Sequence, residues 1–167
     1  MSDYLAEINI IIEEHQAIKR HVKLVGESIG DQEALFSLQS ARPDWIPGRL
    51  EILSEKQNKL TQTINFLSEG LKNHFAKEER FLPPVLGEFL MRALILEHRE
   101  IGKAIKEVRA MAANTKLEGL SREDLMSQEA EIQQKVGNLC NLIEEHANKE
   151  ELMLEMVQRA LEEKALE

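Results

Sequence analysis

Apolar residues recur along most of this chain in alternating steps of three and four, the spacing that lines up side chains on one stripe of an α-helix. The first stripe runs Tyr4, Ile8, Ile11, His15, Ile18, Val22, Val25, and predicts a helix over 3–27 that fades near Gly26 to Gly30. Ser2 can cap it, and Asp3 sits in its first turn. A second stripe, Leu53, Gln57, Leu60, Ile64, Leu67, Leu71, His74, Glu78, Phe81, predicts a helix over 48–82 that Pro83-Pro84 stops. Met91, Leu94, His98, Ile101, Ile105, Val108 and Ala112 mark a third, over 86–114. Ser121 with Asp124 three residues on resembles a capping box. It opens a fourth helix over 121–164, with Ile132, Val136, Leu139, Ile143, His146, Glu150, Met153, Val157 and Ala160 along its stripe. Residues 28–47 are a long connection in which Asp31 to Ser40 can make a short helix. Trp45, between Pro43 and Pro47, is expected to plug one end of the bundle.

The two halves of this pattern repeat. Glu14-His15-Gln16-Ala17-Ile18 matches Glu97-His98-Arg99-Glu100-Ile101, and His74-Phe75-Ala76-Lys77-Glu78-Glu79 matches His146-Ala147-Asn148-Lys149-Glu150-Glu151. Each half is a helix pair carrying one histidine and then one His/Glu pair. Two copies make a single all-α domain, a four-helix bundle with an internal two-helix pseudo-repeat.

Composition narrows the field. Aromatics are 4% of the 167 residues and charged groups 31%, which suits a helical bundle rather than a sheet protein. A formal net charge of −9 argues against nucleic acid or an anionic membrane surface as partner. Cys140 is the only cysteine, so no intramolecular disulfide or all-thiolate metal site can form. No apolar run approaches a membrane span, and the N-terminus lacks the basic and apolar regions of a secretion signal. A soluble cytoplasmic protein is the expectation.

The chemistry lies where the stripes turn polar. His74 with Glu78, and His146 with Glu150, are four residues apart, so each pair projects from one helix face. Four histidines (His15, His74, His98, His146) and two glutamates (Glu78, Glu150) occupy positions the pattern reserves for core residues. A buried carboxylate costs several kcal/mol unless it is paired or bound to a cation. No arginine or lysine stands on the stripes, so a metal is expected to supply the charge. Four imidazoles and two carboxylates suit iron, manganese or zinc, and six ligands suit two metals sharing bridging carboxylates. Glu14, Glu97 and Glu145 point about 100° away from the neighbouring ligand positions, as solvated groups or partners of the ligands. Glu79 and Glu151 stand one position off the stripe, and His21 belongs to the rim.

On these residues the chain resembles the hemerythrin-like, or HHE cation-binding, family over essentially its whole length. The resemblance implies an up-down-up-down bundle around a non-haem di-iron centre, with zinc or manganese as alternative occupants. It further implies that His15 and His74 hold one iron and His98 and His146 the other, with Glu78, Glu150 and an oxo or hydroxo group as bridges. Two departures from the oxygen-carrying hemerythrins stand out. Gly102 replaces a further histidine one turn after His98, and the last carboxylate is Glu150, four residues after His146 rather than an aspartate at five. Both draw the chain toward the broader bacterial HHE branch.

The function expected from this is binding or reaction of a small ligand (O2, peroxide or NO), in oxygen or nitrosative stress or in iron handling. A centre open at both metals would follow from Gly102, with Ile18, Leu71, Ile101 and Met153 as an apolar lining. His21 and Lys19 are the side chains that could fill the gap. Electrons would come from a redox partner protein. The alternatives are a non-catalytic iron or redox sensor, an iron store, and a structural bundle with adventitious zinc.

Overall fold

The computed structural model describes residues 2–40, 50–115 and 119–164, leaving aside the side chains of residues 2, 30–40, 50–53 and 122. Four helices make up almost all of it: α1 (Ser2–Ser40), α2 (Leu50–Phe81), α3 (Pro83–Asn114) and α4 (Arg122–Lys164). α1 packs against α2 and α4, and α3 against the same two, which closes a four-helix bundle. No described helix is long and apolar enough to cross a membrane.

The first helix does not fade at Gly26 to Gly30 but continues to Ser40. Two glycines cost roughly 1 kcal/mol each relative to alanine, while the Glu, Gln, Ala and Leu residues after them favour helix. So the connection expected over 28–47 is helical in its first part. Pro43, Trp45 and Pro47, and with them the expected plug, lie outside the described residues.

The reversal between α2 and α3 is tight. Pro83 lacks an N–H and starts a helical turn at no cost, and Leu82 accepts backbone hydrogen bonds from Val85 and Leu86, both at 2.9 Å. Gly87 then interrupts α3 with φ 77° and ψ 169°, a region open essentially to glycine alone. The third helix therefore begins at Pro83 rather than at 86, and bends at Gly87 before its long segment. At the other end of α3, the Gln57 amide donates to the Ala112 carbonyl at 2.9 Å. That occupies one of the carbonyls a helix end leaves free, and explains a polar residue on the α2 stripe. The cap of α4 forms as expected: the Asp124 N–H donates to Ser121 Oγ at 3.1 Å, and the Ser121 hydroxyl donates to the Asp124 carboxylate at 2.7 Å.

The stripes converge on one axis with three corrections. Tyr4 is 40% exposed and stands outside the core. In α2 and α4 the stripe steps four residues past the glutamate, so Leu82 and Leu154 are buried rather than Phe81 and Met153. Ala160 is exposed, and Val157 and Leu161 pack partly buried along the continuation. The interior forms two apolar clusters. Ile18, Leu71, Ile101 and Ile143, one from each helix, close the first cluster, and Ile11, Leu82, Leu94 and Leu154 close the second. Each of the eight lies one turn from a histidine or glutamate of the sequence motif. The polar residues therefore share a layer between two apolar ones.

Candidate metal centre

Four helices deliver six polar side chains to that layer, and every one is buried. His15, His74, His98 and His146 are 5% exposed or less, and Glu78 and Glu150 are 0% exposed. The Glu78 carboxylate lies at the centre of the group. Its Oε1 meets His15 Nε2 at 3.2 Å and also touches His74 Nε2, while its Oε2 lies 3.2 Å from His98 Nε2. One carboxylate thus faces two histidines with one oxygen and a third with the other. Glu150 Oε2 lies 3.3 Å from His146 Nε2 and 3.8 Å from His15 Nε2.

Outside this layer, carboxylates hold three of the four rings from behind. His74 Nδ1–H donates to Glu14 Oε2 at 2.8 Å, His98 Nδ1–H to Glu79 Oε1 at 2.9 Å, and His146 Nδ1–H to Glu97 Oε2 at 2.8 Å. A proton on Nδ1 leaves Nε2 with its lone pair aimed inward, the tautomer a metal requires. Lys77 binds Glu14, and Lys149 Nζ donates to Glu97 at 3.0 Å, so these outer acids are themselves fixed. Glu14, Glu97 and Glu79 are therefore partners of the inward-facing rings, whereas Glu145 is exposed.

The electrostatics follow from these contacts. Burial pushes the Glu78 carboxyl up, but the imidazoles of His15, His74 and His98 that crowd it outweigh burial and hold the group well below the usual carboxylate range. Burial depresses His74 and His146, yet the neighbouring carboxylates, Glu78 and Glu150 foremost, leave both raised. Glu14 and Glu97 are pushed up by partial burial and drawn down further by His74 with Lys77 and by His146 with Lys149.

Hydrogen bonding within the protein does not satisfy the layer. His74 Nε2, His98 Nε2, His146 Nε2, Glu78 Oε2 and both Glu150 oxygens are buried without a hydrogen-bond partner. Such atoms cost about 1–3 kcal/mol each, more when charged. The six residues fall into two overlapping sets, Glu78, His98, His146 and Glu150 in one, His15, His74 and Glu78 in the other. Donors about 2.1 Å from one ion at right angles stand about 3 Å apart. The contacts of 3.2–3.3 Å around Glu78 and Glu150 match that spacing. The residues present fit two cations sharing Glu78.

Neither of the two side chains that could fill the Gly102 gap does so. His21 stacks on Phe66, ring centroids 4.9 Å apart, and Lys19 Nζ donates to Glu151 at 2.5 Å. A Cβ added at Gly102 would meet nothing within 4 Å. Ile18, Leu71 and Ile101 are buried beside the layer as expected, with Met153 only partly so. Three features lay beyond reading from sequence: which ring each outer acid holds, the Lys19–Glu151 pair, and Phe75, which stacks on His98 at 4.0 Å between centroids. Phe75 was legible only as an apolar neighbour of His74.

Neither the curated proteins nor the solved structures searched contain a match to the chain. Residues 6–157, from the first helix well into the fourth, match the family described as the Hemerythrin HHE cation binding domain. With a buried His/Glu cluster that fits a metal-binding role at its centre, this four-helix chain belongs to the hemerythrin HHE cation-binding family.

Proposed function

We propose that the protein holds two iron ions in this layer and that the centre binds or reacts with a small ligand, O2, peroxide or NO. His15 and His74 serve one ion and His98 and His146 the other, with Glu78 and Glu150 shared. The setting is oxygen or nitrosative stress, or iron handling, in the cytoplasm. The observation that carries the reading is the set of inward-facing Nε2 and carboxylate oxygens, fully buried and without partners in the protein. Iron bound there supplies a change of oxidation state and open coordination positions for the small ligand.

The chain's own residues do the rest. Glu14, Glu79 and Glu97 fix the tautomer and tilt of three rings through their Nδ1 protons. Ile18, Leu71 and Ile101 wall the layer with hydrocarbon, which excludes bulk water and admits small uncharged molecules. Gly102, one turn past His98, leaves space where a longer side chain would stand. Electrons arrive from a separate redox protein.

Metal analysis of protein purified without added metal, followed by absorbance of the ferric form before and after anaerobic reduction, tests this reading. Two irons per chain are expected, with bands that vanish on reduction and change on exposure to O2 or NO. Zinc alone, or no metal, would sink it. Iron whose spectrum ignores both gases would favour a sensor or an iron store.

A further inference from the structure

The internal repeat makes a strong demand: whatever holds His98 should have a counterpart holding His15. Superposing the halves by their motifs pairs His15 with His98, His74 with His146, Phe75 with Ala147, Glu79 with Glu151, and Lys19 with Gly102. Some pairs obey the repeat. Glu14 behind His74 is mirrored by Glu97 behind His146, both at 2.8 Å. The edge-on contacts His15–His74 and His98–His146, at 4.8 and 4.9 Å, mirror each other as well.

Around His15 the repeat fails twice. His98 gives its Nδ1 proton to Glu79, but the matching acid, Glu151, takes hydrogen bonds from Lys19 Nζ at 2.5 Å and Gln16 Nε2 at 2.9 Å instead. His15 Nδ1 is left buried without a partner. His98 is also pinned face to face by Phe75, with 9° between the ring planes, while Ala147 offers His15 no ring. The donor sets carry the same asymmetry: four residues gather on the His98 side and three on the His15 side. Lys19 further adds a positive charge one turn from His15, where Gly102 adds none beside His98.

We infer that the two metal positions are unequal. The His98/His146 position retains its ion, and the His15/His74 position exchanges it, because Lys19 and Gln16 hold Glu151 away from His15 Nδ1. This rests on the dinuclear reading above. Lys19 is a positioning residue: it touches neither ion, and it acts by occupying the acid that would otherwise fix the His15 ring. The consequence is a chain able to pass between two-ion and one-ion forms as iron supply varies.

The test is release of iron from the fully ferrous-loaded chain into excess ferrozine under anaerobic conditions. One ion should leave at least tenfold faster than the other. Lys19→Met frees Glu151 and removes the charge, and should slow the fast phase about 10-fold, the usual scale for a hydrogen bond behind a metal-bound histidine. Glu79→Ala, on an exposed side chain, should speed the slow phase by about 10–100-fold and leave the fast one unchanged. Two ions leaving wild-type protein in a single phase, or a fast phase indifferent to Lys19→Met, would overturn the inference alone. Saturation below two ions per chain would remove the dinuclear reading and this inference with it.

Discussion

One turn of helix separates two kinds of interior in this bundle. Ile18, Leu71, Ile101 and Ile143 form a layer that needs nothing from outside the chain, because each is buried against other hydrocarbon. One turn along, His15, His74, His98, His146, Glu78 and Glu150 are buried as deeply but leave six of their inward atoms without a hydrogen bond. The first layer builds the fold, and the second fits a cation. The same helices carry both, so the burial that stabilises one layer desolvates the other.

Taking the metal away separates the two layers most directly. Each ion held at a thousandfold excess over its Kd should add about 4 kcal/mol to stability, since the unfolded chain lacks the assembled site. Chelation should therefore lower Tm sharply, and calorimetry with and without iron reads it. Leu139→Ala, in the apolar cluster and 1% exposed, should cost about 2–5 kcal/mol through lost contacts and a cavity. That cost should be nearly the same with and without metal. A loss seen only in the loaded form would mean that the two layers are not independent.

A smaller effect of opposite sign sharpens the point. Glu150→Leu replaces a carboxylate with two orphaned oxygens by a side chain of similar size. At a pH above the raised His146 value, where that imidazole is neutral and no longer pairs with the carboxylate, it should stabilise the metal-free chain by about 1–3 kcal/mol while abolishing two-ion binding. Urea unfolding of the metal-free variant checks the first half, and metal analysis the second. A destabilised metal-free variant would show that Glu150 has a structural role of its own.

Protonation divides the forms in the same way. In the metal-free chain the Glu78 carboxyl is lowered from an ordinary 4.5, so its contribution is complete above that pH and is lost as pH falls below it. His74 and His146 are raised from 6.5, so theirs is complete below that value and is lost as pH rises through their folded values. The metal-free chain should be most stable between about pH 4.5 and 6.5. Metal binding should instead strengthen above that window, because protons compete for Nε2. Unfolding curves at several pH values, with and without iron, would show the two optima apart.

Sequence periodicity carried the apolar layers and the six polar positions, because both follow from a step of three or four along a stripe. Every stripe position of α3 is buried where the pattern put it. The failures have a common physical form. Phe81 or Leu82, and Met153 or Leu154, are adjacent apolar pairs, and only the neighbouring helix decides which faces inward. The outer acids are the same problem in polar dress: Glu79 finds His98 and Glu151 finds Lys19, although the two occupy matched places in the repeat. Which partner wins depends on side chains from another helix, and periodicity along one helix says nothing of that. The end of α1 departs from the pattern for a different reason, since glycine lowers helix propensity without forbidding a helix that its other residues favour.

Cys140 gives the last and smallest test, because it isolates what burial does without partners of opposite charge. It packs against the first apolar cluster, with Sγ 3.9 Å from the Val22 carbonyl. Burial, reinforced by the negative charge of Glu144, pushes the thiol up from 9.0 to about 11. Glu78 suffers the same desolvation and moves the other way, so the difference between them lies in the histidines around the carboxylate rather than in depth. Alkylation requires the thiolate. At pH 8 iodoacetamide should therefore modify native Cys140 about a hundredfold more slowly than the urea-unfolded chain, with a rate that still climbs above pH 9. Native labelling as fast as unfolded labelling would mean that α1 and α4 part readily at this level. The apolar layer would then be less self-sufficient than its packing implies.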